Sequence, residues 1–187
     1  MNHTCTARLV TRGFSMVQLM VTLTIIAILT GLAVPGYRYV TTSTRISGEV
    51  NNLLGDLQFA RYQAIKQGQP VTVCPAATPY TGCLSASTTN WTSGWIVFND
   101  VNGNGTVDTG EAVIRIQQAL SGTDTLTLLT GGTGRVTFNR EGYPVALTSI
   151  VTLGLHSTPV GNQWTRCVQV GINGQVLTEL YGAGSCT

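Results

Sequence analysis

A long stretch without charge near the N-terminus constrains the fold more than any other feature of the chain. Residues 13–37 contain no Asp, Glu, Lys or Arg, and residues 14–34 are predominantly apolar. The 21 residues from 14 to 34 would form a helix about 30 Å long, which matches the hydrocarbon core of a bilayer. The sequence therefore predicts one membrane-spanning helix at this end of the chain.

The residues before this segment indicate how the N-terminus is processed. Arg8 and Arg12 precede the apolar residues, and Gly13 stands directly before Phe14. Ordinary secretory signals are cleaved after their apolar region, at small residues. Here the small residue comes before the apolar region, so an ordinary secretory signal fits this segment less well than a membrane-spanning helix does.

The N-terminal segment resembles the class III signal of type IV pilins and type II secretion pseudopilins. The resemblance rests on the sequence GFSMVQLMV, which begins at Gly13, and on Pro35 beyond it. The resemblance implies that residues 1–13 are a leader and that a prepilin peptidase cleaves between Gly13 and Phe14. It also implies N-methylation of Phe14. Residues 14–35 would then remain as the membrane anchor and later form the core of a filament.

One residue departs from the pattern of these families. They almost always have Glu where this chain has Gln18, and that carboxylate is thought to neutralise the terminal amine of a neighbouring subunit. An ammonium at membrane depth costs about 2.5–3.5 kcal/mol, and Gln supplies no charge to offset it. Gln18 therefore fits either an early or terminal position in the filament, where no earlier amine needs a partner, or weaker incorporation.

The helix is expected to continue through residues 36–67. Apolar residues recur there at spacings of three and four, which is typical of an amphipathic helix: Val50, Leu53, Leu54, Leu57, Ala60, Ala64 and Ile65. Gly68 and Pro70 predict its end near Gln67, because proline lacks a backbone donor. We expect the apolar stripe to pack on the domain that follows.

Residues 68–187 have the short alternating segments and turn clusters of a β-rich domain. Eight strands are predicted, at residues 71–74, 95–98, 112–117, 125–129, 135–138, 150–155, 165–170 and 175–180. Eight short strands favour a sandwich or two packed sheets. The predicted fold class is therefore α+β, with a long N-terminal helix packed on a β-rich head, which is the pilin-like architecture.

Four cysteines lie beyond the anchor, and an even number suggests two disulfides made in an oxidising compartment. Asn173-Gly174 predicts a two-residue hairpin turn that places Cys167 opposite Leu180. The four cysteines permit three pairings, and the sequence does not choose among them. We favour Cys74 with Cys83 and Cys167 with Cys186, because these pairs are close along the chain.

The segment from Asp100 to Glu111 matches the calcium-loop pattern D-x-[DN]-x-[DN]-G-x5-E at every specified position. The candidate ligands are Asp100, Asn102, Asn104, Asp108 and Glu111. Predicted strands flank the segment, which argues against a helix-loop-helix site. The alternative is a hairpin loop in which Asx turns satisfy the loop's own backbone. No cofactor is otherwise required.

Charge and motifs exclude several classes of function. From residue 68 onward, the sequence contains four Arg and six acidic residues. A domain with this net negative charge is poorly suited to bind nucleic acid. The sequence contains no nucleophile elbow, P-loop or cluster of zinc ligands, and His156 is the one histidine after residue 13. We therefore expect no enzyme activity.

Motifs in the second half of the helix and in the head narrow the resemblance to the GspH/FimT family. The resemblance extends over nearly the whole mature chain. They are LQFARYQAI at residues 57–65, PVTVC at 70–74, GWIVF at 94–98 with Asp100, residues 103–111, and VTF at 136–138 with Gly142. Some members bind DNA through a Gly-Arg-x-Arg stretch. The corresponding residues here, Gly174, Gln175, Val176 and Leu177, lack both arginines.

The resemblance implies a minor pilin of a type IV pilus that helps to prime assembly and lies at or near the tip. A minor pseudopilin of a type II secretion system is the alternative, and a DNA-uptake receptor is the second alternative. The implied partners are other minor and major pilins, the prepilin peptidase and a tip adhesin. The implied location is the inner membrane, with one span and a periplasmic head, and then the extracellular tip of the pilus.

Overall fold

The computed structural model describes residues 13–157 and 161–186. The chain consists of two compact units, an N-terminal unit that ends at Thr41 and a larger unit that begins at Thr42. The leader predicted at residues 1–13 lies outside the described residues except for Gly13, and so do Arg8 and Arg12.

One long helix, α1, spans Met16–Gln67, as the apolar run and the stripe beyond it predict. Its last hydrogen bond joins the Gly68 N–H to the Ala64 carbonyl at 3.0 Å. Pro70 then follows without a backbone donor, so α1 ends where the sequence indicates. Pro35 lies within α1.

The described residues beyond α1 form nine strands and one short 3-10 turn at Asn162–Trp164. The strands are β1 Val71–Ala77, β2 Gly82–Cys83, β3 Trp95–Asn99, β4 Val113–Gln117, β5 Thr125–Thr130, β6 Val136–Phe138, β7 Val151–His156, β8 Arg166–Val170 and β9 Val176–Leu180. All eight predicted strands are present with small shifts at their ends. The two-residue β2 was missed, since it is too short to carry a periodic signal.

The strands form two antiparallel sheets. The first has the order β2-β1-β3-β4, with β6 also paired to β1, and the second has the order β5-β7-β8-β9. Residues 42–67 of α1 pack on both sheets, so the α+β fold class and the two-sheet head are confirmed. Alternate strand residues such as Val73, Val97, Leu153 and Val168 join Leu53 and Leu57 of α1 in one core.

The apolar stripe on α1 is confirmed with two corrections. Val50, Leu53, Leu57, Ala60 and Ala64 are buried as expected, and Ile46 extends the stripe by one turn. Leu54 is only half-buried, and Ile65 is 52% exposed. At about 100° per residue, these two side chains fall together on one edge of the stripe, away from its centre.

Each sheet also has an outer face, which is the face turned away from α1. Both outer faces are covered, and each carries a disulfide. Cys74 of β1 is bonded to Cys83 of β2, and Cys167 of β8 is bonded to Cys186. The second bridge fixes the C-terminal residues over the second sheet, where the Ser185 hydroxyl also contacts Thr152. The structure therefore contains the local pairing among the three that the sequence allows.

The hairpin between β8 and β9 differs from the prediction by one residue. Val170 pairs with Val176 and Cys167 pairs with Glu179, not with Leu180. The loop has three residues, 172–174, because the Gly174 N–H donates to the Gly171 carbonyl at 2.8 Å and Gly174 has a φ of 74°. A turn followed by a glycine in the left-handed region is the usual three-residue hairpin.

Candidate assembly site

The N-terminal unit presents an apolar helical surface. The large apolar side chains that the structure describes in this unit are at least half exposed, among them Met20, Ile25 and Ile28. The hydroxyl groups of Thr24 and Thr30 donate to carbonyls one turn earlier, at 2.6 and 2.9 Å. Because these hydroxyl groups are satisfied within the helix, the surface around them is suited to lipid or to other apolar helices.

The length and apolar composition of α1 also indicate a helix that can cross a membrane. One helix in the described residues, Met16–Gln67, contains a window apolar enough to cross a bilayer, and none of that window is buried within the protein. The core helix of a soluble protein would bury such a surface. The N-terminal part of α1 therefore fits a membrane anchor.

The residues of the predicted processing site lie at the start of this helix. Gly13 and Phe14 precede α1, and Phe14 is 80% exposed. Gln18 lies in the first turn, where it is exposed, and its side chain makes no hydrogen bond with any other described residue. A terminus created at Phe14 would thus lie about one turn from the Gln18 side chain.

Within the larger unit, polar contacts hold α1 to the loop between β4 and β5. The Arg45 guanidinium donates to both carboxylate oxygens of Asp124, at 2.7 and 2.9 Å. The Asp124 side chain is fully buried, whereas that of Arg45 is 33% exposed. One turn further along α1, the Glu49 carboxylate accepts hydrogen bonds from the Ser121 N–H and hydroxyl at 3.0 and 2.6 Å.

Asp56 connects α1 to two strands of the first sheet. Its carboxylate accepts the indole N–H of Trp95 at 2.9 Å and the Arg115 guanidinium at 2.7 Å. Trp95 is fully buried and Asp56 is 7% exposed. The guanidinium of Arg115 also lies 3.9 Å from the ring centroid of Phe59, which is a favourable cation–π distance. Asp56 is therefore the acceptor for a donor that has no access to water.

Arg61 connects α1 to the hairpin of the second sheet. Its guanidinium donates to the Gly174 carbonyl at 2.7 Å. A side chain at Gly174 would place its Cβ 2.3 Å from the Gly142 carbonyl, so the hairpin tip packs closely against a neighbouring turn. These contacts join α1 to the end of the last hairpin.

Sequence reasoning found the apolar stripe and missed these polar side chains. At about 100° per residue, Arg45, Glu49 and Asp56 fall within about 40° of one another on one border of the stripe, and Arg61 falls on the opposite border. Charged residues that border an apolar stripe are a usable signal. Their partners lie 39 to 113 positions away along the chain, and nothing local indicates them.

The segment with the calcium-loop pattern connects β3 to β4 and covers the outer face of the first sheet. Asp100 Oδ2 accepts the Thr72 hydroxyl at 2.6 Å and the Gly105 N–H at 2.9 Å. Glu111 accepts the backbone N–H groups of Val101 and Asp108 at 2.8 and 2.9 Å. These contacts place the first and last candidate ligands at the two ends of one closed loop.

The middle of the loop is held by its asparagines. Asn104 Oδ1 accepts the Thr106 N–H at 2.7 Å, and the amide groups of Asn102 and Asn104 donate to Asp108 Oδ2 at 2.8 and 2.7 Å. Among the residues that the structure describes, no three Asp, Glu, His or Cys side chains converge on one point. In this conformation the loop satisfies its own backbone, as the Asx-turn alternative requires.

An exposed apolar N-terminal helix and a head of two antiparallel sheets packed on residues 42–67 of α1 define a pilin-like α+β protein. The chain belongs to the GspH family: the family model described as type II transport protein GspH matches residues 49–174, more than half of the chain. This is a family of structural pilins and not of enzymes. No curated protein matches the chain.

The fold is also similar to that of a solved minor pilin. A crystal structure of the type IV minor pilin FimU from Pseudomonas aeruginosa has a TM-score of 0.57 and 18% identity, and the match covers 79% of this chain and 99% of that chain. A second crystal form of FimU has a TM-score of 0.53 and the same identity, with 75% of this chain and 99% of that chain covered. At this identity the likeness establishes the fold.

Proposed function

We propose that the protein is a minor pilin of a type IV pilus that takes part in the priming of assembly and lies at or near the pilus tip. The observation that carries the proposal is the exposed apolar helix that follows Gly13 and Phe14, joined in one chain to a head with the fold of a minor pilin. A surface of this kind supplies a polymerisation interface with other minor and major pilins. A tip adhesin is a further partner in this proposal.

The proposed life cycle begins in the inner membrane. A prepilin peptidase cleaves between Gly13 and Phe14 and methylates the new terminus, and residues 14–35 keep the protein in the membrane. The two disulfides support a head in the oxidising periplasm. Assembly then carries the protein to the extracellular tip of the pilus.

Deletion of the gene tests the assembly role. We expect fewer surface pili and reduced motility, both restored by the wild-type gene. Wild-type piliation and motility in the deletion strain would contradict a role in priming. A defect in protein secretion with normal piliation would instead support the type II secretion alternative, to which the family description refers.

The variant Gly13→Val is expected to block processing, because a branched side chain then occupies the position before the cleaved bond. Mass spectrometry of the membrane fraction should find the leader retained and Phe14 unmethylated. Gly36→Val is the matched control, since an added Cβ meets no atom within 4 Å at either glycine. Cleavage of the Gly13→Val protein at the same bond would contradict the proposed site.

The variant Gln18→Glu is expected to raise the number of copies of the protein in sheared pili. The substitution adds a carboxylate beside the proposed terminal amine, and such a pair reduces the cost of burying that amine. Quantitative immunoblotting of sheared pili measures the change. Gln58→Glu, an exposed site on the same helix, is the control, and an unchanged copy number for Gln18→Glu would reject the charge argument.

DNA uptake remains the second alternative. The residues that correspond to the basic stretch of DNA-binding members lie in the last hairpin and on β9, and none of Gly174, Gln175, Val176 and Leu177 carries charge. A gel-shift assay tests this alternative. Salt-sensitive retardation of DNA at micromolar protein would favour a receptor.

A further inference from the structure

We propose that the loop from Asp100 to Glu111 binds one calcium ion through the carboxylates of Asp100, Asp108 and Glu111 and the side-chain oxygens of Asn102 and Asn104. The site is independent of the proposed role in pilus assembly. Its expected ligands are the hard oxygen donors that calcium prefers.

A buried oxygen of Asp100 points to the ion. Asp100 is fully buried, and only its Oδ2 accepts hydrogen bonds, from Thr72 and Gly105. Its Oδ1 is buried and has no hydrogen-bond partner among the described residues. Leaving a buried carboxylate oxygen unpaired is costly, so a cation at Oδ1 would remove that cost.

The position of this oxygen fits a calcium loop. Oδ1 and Oδ2 share one carbon, so Oδ1 also lies at the turn formed by Gly105. Gly105, at the sixth position of the pattern, has a φ of 72°, and calcium loops have glycine there for their sharp turn. The unpaired oxygen is therefore the first ligand of the pattern, at the turn around which the other ligands are arranged.

The charge of the loop also favours a divalent cation. The loop contains three carboxylates, from Asp100, Asp108 and Glu111. One guanidinium lies beside it, that of Arg135, which donates to the Asn104 and Gly105 carbonyls. The local charge is thus −2, and one calcium ion neutralises it. The donors that now contact Asp108 Oδ2 are two neutral amide groups, which the ion would replace.

Binding requires two local changes. The Asn102 and Asn104 amides must turn so that oxygens replace the N–H groups beside Asp108. Glu111 must exchange its hydrogen bonds with the Val101 and Asp108 N–H groups for the ion. Because these bonds must first be broken, we expect an affinity like that of extracellular calcium modules, with a Kd of about 10⁻⁴–10⁻³ M.

The guanidinium of Arg135 competes with calcium as the partner of the Asp100 carboxylate. Its Nε is also buried without a hydrogen-bond partner among the described residues, and its Nη1 contacts the same turn at Gly105. Asp100 and Arg135 both contact Gly105, so an ion pair of Nε with Asp100 Oδ1 is the competing way to neutralise the carboxylate within the chain. The experiment must therefore separate calcium from this ion pair.

The test is a calcium titration of the full chain in detergent after treatment with a chelator. Thermal unfolding should show a Tm that rises by about 3–10 °C when calcium exceeds the Kd by 10- to 100-fold. Isothermal titration should show one binding event, and equal magnesium should give a smaller shift because magnesium demands a tighter octahedral site. No calcium-dependent shift and no binding heat would overturn the proposal.

Variants locate the ion. Asp108→Asn and Glu111→Gln should each abolish the calcium-dependent shift, and both residues are accessible enough for the ion-free protein to fold. Glu141→Gln removes the same charge outside the loop, from an exposed pair with Arg140, and should keep the shift. A shift that survives in both loop variants would overturn the site.

The Arg135→Gln variant examines the competing ion pair. Calcium binding predicts that this variant keeps the shift, since Arg135 supplies no ligand. A wild-type protein without a shift, together with a lower Tm for Arg135→Gln, would assign the buried charge of Asp100 to Arg135 and overturn the calcium proposal.

Discussion

Replacing Leu57 with Ala should lower the free energy of unfolding of the head by about 3–5 kcal/mol. Leu57 is fully buried and lies in the core that α1 shares with both sheets. The substitution removes apolar contacts and leaves a cavity that close-packed neighbours fill only in part. Thermal unfolding of the protein in detergent should show a Tm lower by roughly 6–20 °C.

Two control variants make this result specific to core packing. Leu177→Ala removes the same atoms from β9, where the side chain is 47% exposed, and should cost about 0.5 kcal/mol or less. Leu57→Met nearly conserves volume and should cost less than about 1.5 kcal/mol. If Leu57→Ala were as mild as Leu177→Ala, residues 42–67 of α1 would not be packed on the sheets as described.

Replacing Asp56 with Ala should destabilise the head by about 2–3 kcal/mol. The change leaves the buried indole N–H of Trp95 without its acceptor, which lies 2.9 Å away in the native protein. The contribution from Arg115 is smaller, because its side chain is 47% exposed and water can replace the carboxylate there. Thermal unfolding under the same conditions measures the loss.

Asp56→Asn separates the hydrogen bond from the charge. An amide oxygen can still accept the Trp95 N–H but carries no charge for Arg115, so this variant should lose clearly less stability than Asp56→Ala. Equal losses for the two variants would show that the ion pair dominates. Both variants should also reduce the amount of protein that assembles, since α1 connects the membrane segment to the head.

Much of the fold follows from local patterns in the sequence. The end of α1 at Gln67 follows from Gly68 and Pro70, and the main strands follow from short alternating segments between turn residues. The hairpin at Asn173-Gly174 was located correctly, but its register was wrong by one residue. A dipeptide indicates that a turn exists, whereas the hydrogen bonds of the whole loop decide how many residues it contains.

Part of the candidate site could likewise be predicted from the sequence, and part of it could not. The apolar surface of residues 14–34 could be predicted, because its length and lack of charge are properties of one continuous segment. The acceptor of the Trp95 N–H could not, since Asp56 lies 39 positions away. The ion pair of Arg45 with Asp124 spans 79 positions and depends on where the loop between β4 and β5 passes α1.

The sequence by itself determined a membrane-compatible helix, its amphipathic continuation, the strands and the family resemblance, because each depends on residue type and spacing within a short window. Only the tertiary structure decided which of three cysteine pairings forms, which carboxylates face buried donors, and that one oxygen of Asp100 is buried without a partner among the described residues. Those properties depend on how the sheets and α1 pack, which brings together residues far apart in the chain.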